Sequence, residues 1–123
     1  MTVLTVFDNG DGRGFTQPED PKEKYSRAVM YRIDERKGTV EQVWEYGRNR
    51  GHELYSPITS SVEYQADRDS LVVYWASIDL ASGGRPVLTE FRRGADKPVF
   101  EMELRGTMGY RALTIDLKKA FNL

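Results

Sequence analysis

Short runs of β-branched and aromatic residues recur along this chain about every ten residues, each closed by Gly, Pro, Asn or Asp, and that rhythm predicts an all-β fold. Thr2 to Phe7 alternates as a strand does. It stops at Asp8-Asn9-Gly10-Asp11-Gly12-Arg13-Gly14, where the glycines admit positive φ and exclude a regular element. A loop is expected to continue through Pro18 and Pro21. Tyr25 to Ile33 and Thr39 to Tyr46 flank the polar turn Asp34-Glu35-Arg36-Lys37-Gly38 and predict a hairpin. In its second arm Val40, Gln42 and Trp44 alternate with Glu41, Val43 and Glu45, so both faces carry some apolar surface.

Beyond a loop at Gly47 to Gly51, strands are expected at Ile58 to Tyr64 and, after the turn Ala66-Asp67-Arg68-Asp69, at Leu71 to Ala76. The unbroken apolar run Leu71-Val72-Val73-Tyr74-Trp75-Ala76 marks a strand buried on both sides. Pro86 to Phe91 and Pro98 to Leu104 form a second hairpin around Arg92-Arg93-Gly94-Ala95-Asp96, and a last strand is expected at Tyr110 to Leu117. Lys118 to Leu123 fits either one helical turn or a frayed end.

A weak repeat relates the hairpins: Thr39-Val40-Glu41-Gln42-Val43 lies about 59 residues before Pro98-Val99-Phe100-Glu101-Met102. Each unit would be a four-stranded antiparallel sheet, too small to bury both faces alone. Stacking such sheets around an axis is the propeller solution. The expected fold is therefore a partial β-propeller of about two blades: one complete sheet from Ile58 to Leu104, three strands ahead of it and one behind. A closed propeller takes at least about four blades. The expectation is then a fragment, an oligomer or a sandwich, and a start inside a strand suggests a cut in a longer chain.

Composition narrows the function classes. The 123 residues fit a single domain, and 18 basic against 19 acidic side chains create no net field toward nucleic acid or a membrane surface. The lack of cysteine excludes disulfides, thiolate chemistry and cysteine-ligated metal. No apolar run approaches the roughly 18 residues of a membrane span, and the first residues show neither the basic nor the long apolar region of a secretion signal. Separated from neighbouring sheets, the chain would expose strand edges and an apolar face containing Val72, Tyr74 and Trp75, so self-association is expected.

Candidate chemistry is sparse. His52 is the only histidine, and its polar surroundings Arg50-Gly51-His52-Glu53 read as a surface loop. Asp8-Asn9-Gly10-Asp11-Gly12, with Glu19 at the twelfth position, resembles a calcium loop, but Gly10 and Gly12 offer no side-chain ligands where such a loop needs them. The Gly10-x-Gly12-x-Gly14 spacing is followed by no helix that could receive a pyrophosphate, so it reads as a turn. Arg48, Arg50, Arg92 and Arg93 lie near acidic residues, the arrangement of a solvated face. Tyr55 and Tyr110 start strands at corresponding places of the repeat. A propeller's innermost strands would aim such residues at the central channel, while the plainer reading is a core tyrosine with a hydrogen-bonded hydroxyl.

Six blocks carry more information in order than singly: Leu4 to Gly14, Lys24-Tyr25-Ser26-Arg27, Val40 to Gly47, Tyr55-Ser56-Pro57-Ile58-Thr59-Ser60, Glu63 to Arg68 and Tyr110-Arg111-Ala112-Leu113. Together they closely resemble the C-terminal portion of bacterial arylsulfotransferases, the aryl-sulfate sulfotransferases that do not use PAPS. The likeness is dense from Leu4 to Arg68, loose from Leu71 to Gly109, and returns at Tyr110.

The resemblance implies a six-bladed propeller, periplasmic and homo-oligomeric, that moves a sulfuryl group from a phenolic sulfate ester to a phenol without a cofactor. It implies a histidine that carries the sulfuryl group, lying upstream of this chain. His52 matches none of the family's catalytic histidines, so no catalytic and no metal-binding residue is expected here. What carries over is substrate binding by Thr59 and Tyr110, the first toward the sulfate oxygens and the second toward the aromatic ring. Strand alternation would point Arg111 away from the face of Tyr110 and make it structural. The alternative from another class is a non-catalytic β-sheet binding or interaction module that retains the scaffold only.

Overall fold

The computed structural model describes residues 1–12 and 24–122. Arg13, Gly14, Pro18, Glu19 and Pro21, on which the loop and calcium-loop readings partly rest, lie outside the described residues. Strands β1 (Thr2–Asp8), β2 (Arg27–Asp34) and β3 (Thr39–Tyr46) form one antiparallel sheet in the order β1-β2-β3. A second antiparallel sheet has the order β4 (Ser61–Gln65), β5 (Ser70–Trp75), β6 (Val87–Arg92) and β7 (Phe100–Glu103). Among the described residues the fold is thus all-β, with sheets of three and four strands and no closed barrel. One short helix, α1 (Leu117–Phe121), and 3₁₀ turns at Arg48–Leu54 and Leu80–Ser82 are the helical segments described.

Both predicted hairpins form. In the first, Asp34 pins the turn because its Oδ1 accepts from the amides of Arg36 and Lys37 at 3.0 and 3.1 Å. The β2–β3 ladder pairs Met30 with Trp44 and then Tyr31 with Gln42, so Val43 is the extra residue of a β-bulge. The bulge corrects the simple alternation: Gln42 and Trp44 fall on opposite faces, and Trp44 turns inward beside Met30.

The core lies between the two sheets. Ala28, Met30 and Tyr46 face Leu71, Val73, Trp75, Val87 and Phe91, with Leu54 and Ile78 completing the cluster. Aromatic edges make the joint: Trp75 meets Phe7 at 5.2 Å, and Phe91 meets Tyr46 at 4.5 Å and Trp44 at 5.3 Å. Every residue of β5 is buried, as its continuous apolar run implies.

The other face of β5 is covered by the chain after β7, and two expectations change as a result. Ser61 and Glu63 pair with Tyr74 and Val72 and so share their face. Across that face runs the segment 105–116: the Gly109 amide bonds the Ala76 carbonyl at 3.0 Å, Ala112 N reaches Ser61 Oγ at 3.1 Å, and Thr114 N and Oγ1 bond the Glu63 carboxylate. Tyr110 to Leu117 is therefore not a strand. It lies over the face of a sheet and bonds side chains, whereas ladder groups point along the sheet plane. Val72 and Tyr74 are consequently buried, and Trp75 is buried on the opposite face in the core between the sheets, contrary to the exposed face expected of all three. Exposed apolar surface lies instead on the outer side of the first sheet, at Leu4, Val6 and Val40, and on the covering segment at Leu113 and Ile115.

Ion pairs lace the rim. Arg27 bonds Asp8 and Glu45 across the first sheet, and Arg50 bonds Glu53, Glu101 of β7 and the Tyr46 hydroxyl. The hydrogen bond from Arg27 holds the Glu45 carboxyl below the usual carboxylate range, and that from Arg50 does the same for Glu53. A carboxyl whose folded pKa is depressed contributes stability above its unfolded pKa and loses it as pH falls through the folded value. Stability is expected to drop between about pH 5 and about pH 2, measured by urea unfolding at each pH. Glu45→Gln should flatten that dependence, and an unchanged slope would count against this account.

Candidate functional site

The segment Ser56-Pro57-Ile58-Thr59-Ser60 enters β4 from the 3₁₀ turn, and a hydroxyl network beneath it sets its shape. Ser56 Oγ lies 2.8 Å from both Ser60 Oγ and Ser77 Oγ, and Ser77 Oγ donates to the Ile58 carbonyl at 2.7 Å. Ser26 Oγ accepts from Ser56 N at 2.8 Å and donates to Asn9 O at 2.7 Å, which ties the first sheet to this loop. Asn9 reinforces the tie, its Nδ2 donating to Ser56 O and Thr59 O at 2.8 and 3.1 Å. Ser26, Ser56 and Ser77 are buried, so their hydroxyls need these partners.

Thr59 and Ser60 both take positive φ, 57° and 85°. A side chain there costs roughly 1–2 kcal/mol per residue, and two in succession persist only where surrounding bonds hold them. The holding bonds reach the covering segment: Ser60 N donates to Tyr110 O at 2.8 Å and Thr59 Oγ1 to Gly109 O at 3.0 Å.

The two residues carried over from the family pattern are thereby brought together. Thr59 and Tyr110 line one cavity of about 560 Å³, shared with Phe7, Asn9, Ser61 and Arg111. Tyr110 is 73% exposed and its hydroxyl has no partner among the described residues, so it is not the core tyrosine of the plainer reading. Arg111 also lines this cavity, so it does not point away from the face of Tyr110 as expected: alternation is a rule for ladders, and residue 111 is not in one.

The remaining candidates lie apart from the cavity. His52 is exposed in the 3₁₀ turn with its ring 5.4 Å from that of Tyr55, and Tyr55 donates its hydroxyl to Asp11 at 2.9 Å. Arg48, Arg50 and Arg93 pair with Glu45, Glu53 and Asp69, the solvated face expected of them. At the start of the glycine-rich loop, Asp8 accepts from the Gly10 amide and from Arg27, so its carboxylate is committed to the turn. Among the described residues no three His, Asp or Glu side chains gather to hold a metal.

Asn9, Ser60, Ser61 and Arg111 were not singled out from the sequence as site residues. The run Ser56 to Ser61 is a visible cluster of hydroxyls, but the positive φ at Thr59 and Ser60 leaves no trace where threonine and serine stand in place of glycine. Chemically, the cavity offers hydroxyls, a phenol and a guanidinium beside the apolar Phe7 and Val62, and among the described residues no carboxylate and no histidine lines it. Such a lining offers hydrogen-bond donors and a positive charge to an anion and apolar surface to the body that bears it.

Residues 1–111 match the protein family described as Arylsulfotransferase (ASST). The chain is 59% identical over 86 residues to Arylsulfate sulfotransferase AssT of Escherichia coli O6:H1, and 55% identical over 86 residues to that of Lelliottia amnigena. In each case the match covers 70% of this chain and 14% of the relative, so the chain spans about one seventh of the length of the curated relatives it matches.

Proposed function

The chain belongs to the arylsulfotransferase family, and we propose that it is the C-terminal, channel-lining part of an enzyme that transfers a sulfuryl group from a phenolic sulfate ester to a phenol. In this reading the two sheets are neighbouring blades of a six-bladed propeller, and residues 1–123 form one region of it. The nucleophile is a histidine upstream of the chain. Its ring nitrogen attacks sulfur, the new N–S bond forming as the S–O bond to the aryl group breaks, and the phenoxide leaves with a proton from solvent or a neighbouring acid. An acceptor phenol then gives up its proton and takes the sulfuryl group in the reverse displacement, using the same pocket.

The observation that carries this reading is the meeting of Thr59 and Tyr110 in one cavity whose lining, among the described residues, has no histidine or carboxylate. Thr59 supplies a hydrogen bond to a sulfate oxygen once its hydroxyl proton turns from the Ile58 and Gly109 carbonyls that it can reach, and Tyr110 packs against the aromatic ring. The family likeness extends the proposal to a periplasmic, homo-oligomeric parent that works without a cofactor.

The test is a sulfuryl-transfer assay with a fluorogenic aryl sulfate and excess phenol, run on this chain and on the full-length parent. Only the parent is expected to turn over. Thr59→Ala in the parent should lower kcat/KM about tenfold or more, the range for losing a hydrogen bond to a charged group. His52→Ala should leave the rate unchanged. Turnover by the 123-residue chain, abolished by His52→Ala, would overturn the proposal.

A further inference from the structure

Seven arginines of this chain, Arg27, Arg32, Arg48, Arg50, Arg85, Arg93 and Arg105, each lie within ion-pair distance of an aspartate or glutamate. Arg111, like Arg36, Arg68 and Arg92, has no acidic partner among the described residues, and of these four it is the one that lines the cavity shared by Thr59 and Tyr110. Its backbone is fixed on both sides: Ser60 N holds Tyr110 O, and Ala112 N holds Ser61 Oγ at 3.1 Å. With Arg111 in a lining that has no carboxylate among the described residues, the pocket carries one unit of positive charge for an occupant to balance.

From this placement we infer that Arg111 is the residue that selects the sulfate-bearing substrate, pairing its guanidinium with the sulfate group while the aromatic body lies toward Phe7 and Tyr110. This rests on the transfer reading above and adds to it a division of labour. Thr59 and Tyr110 meet features that donor and acceptor share or exchange, whereas Arg111 meets a charge that the donor has and the neutral phenol lacks. The planar fork of arginine matches two sulfate oxygens at once, which the point charge of lysine cannot do. Because the side chain is exposed, the pairing is screened by salt, and the contribution weakens as ionic strength rises.

Two measurements test the inference. In the first, the 123-residue chain is titrated with phenyl sulfate, phenol and inorganic sulfate, followed by NMR shifts of the Arg111 Nε–H and the Thr59 amide. Phenyl sulfate is expected to bind about tenfold more tightly than phenol, with Arg111→Gln erasing the difference and Arg111→Lys keeping part of it. Inorganic sulfate should bind more weakly than the aryl ester at the same residues, since it lacks the apolar body. In the second, Arg111→Gln in the full-length parent should raise the donor KM about tenfold and leave the acceptor KM unchanged. Equal changes in both KM values, or an Arg111→Gln chain that binds phenyl sulfate as the unsubstituted chain does, would overturn it. If the unsubstituted parent transfers no sulfuryl group, the transfer reading fails, and the titration alone then decides whether Arg111 binds the anion.

Discussion

Trp75→Ala is expected to lower the stability of this chain by about 3–5 kcal/mol, shifting the urea midpoint down by about 2 M. Trp75 is fully buried at the centre of the joint between the sheets, with Phe7 and Tyr46 edge-on to its ring. Truncation loses that apolar area and leaves a cavity bounded by two elements that cannot close on it, because each is held in its own ladder. A second cost is polar. Trp75 Nε1 donates to the buried Thr89 Oγ1 at 3.0 Å, and the alanine variant leaves that hydroxyl without its donor. Trp75→Phe separates the two costs, since it retains much of the volume and loses only the donor. A Trp75→Ala midpoint within about 0.5 M of the parent would show that the sheets do not depend on this joint.

Gly47→Ala should destabilise by about 3 kcal/mol or more, an unusual cost for adding one methyl group. Gly47 has φ 133° and passes over the start of β2 so closely that an added Cβ would sit 2.2 Å from Ser26 O and 2.9 Å from both Arg27 Cα and Trp75 Cη2. Two of those contacts are backbone, and the third is the core tryptophan, so none yields cheaply. The displacement would also travel to the cavity, because Ser26 anchors Ser56 and Asn9 beneath Thr59. Gly51→Ala is the control. It too has positive φ, 55°, but nothing lies within 4 Å of its Cβ, so it should cost only about 1–2 kcal/mol and leave the Thr59 amide resonance in place. Equal losses for the two variants would mean that conformational strain, and not the close approach, sets the cost at Gly47.

Several features of the fold were legible because they depend on neighbours in the chain. Hairpin β2–β3 follows from two alternating runs and an Asp-initiated turn, and the burial of β5 follows from its unbroken apolar run. The pairing of Arg48 with Glu45 and of Arg50 with Glu53 was equally visible from local charge, whereas Arg93 reaches Asp69 only because the chain folds back on itself. The inward turn of Trp44 was not. A bulge is a property of two strands in register, and neither strand alone reveals which residue is left unpaired.

By itself, the sequence determined the all-β class, both hairpins, the double burial of β5 and, through ordered blocks of residues, the arylsulfotransferase family. These rest on periodicity, turn chemistry and residue identity, which are properties of consecutive positions. Only the tertiary structure decided where residues 105–116 lie, and with them the fate of three predictions. A segment of alternating Tyr110, Ala112, Thr114 against Arg111, Leu113, Ile115 satisfies a strand pattern whether it joins the edge of a sheet or crosses its face. The choice is made by the partners available at a distance: Ser61 and Glu63 offer side-chain bonds, and Gly109 fits against the ring of Tyr74 where a side chain would not. That crossing buries Val72 and Tyr74, places Tyr110 beside Thr59, and brings Arg111 into the lining of the same cavity.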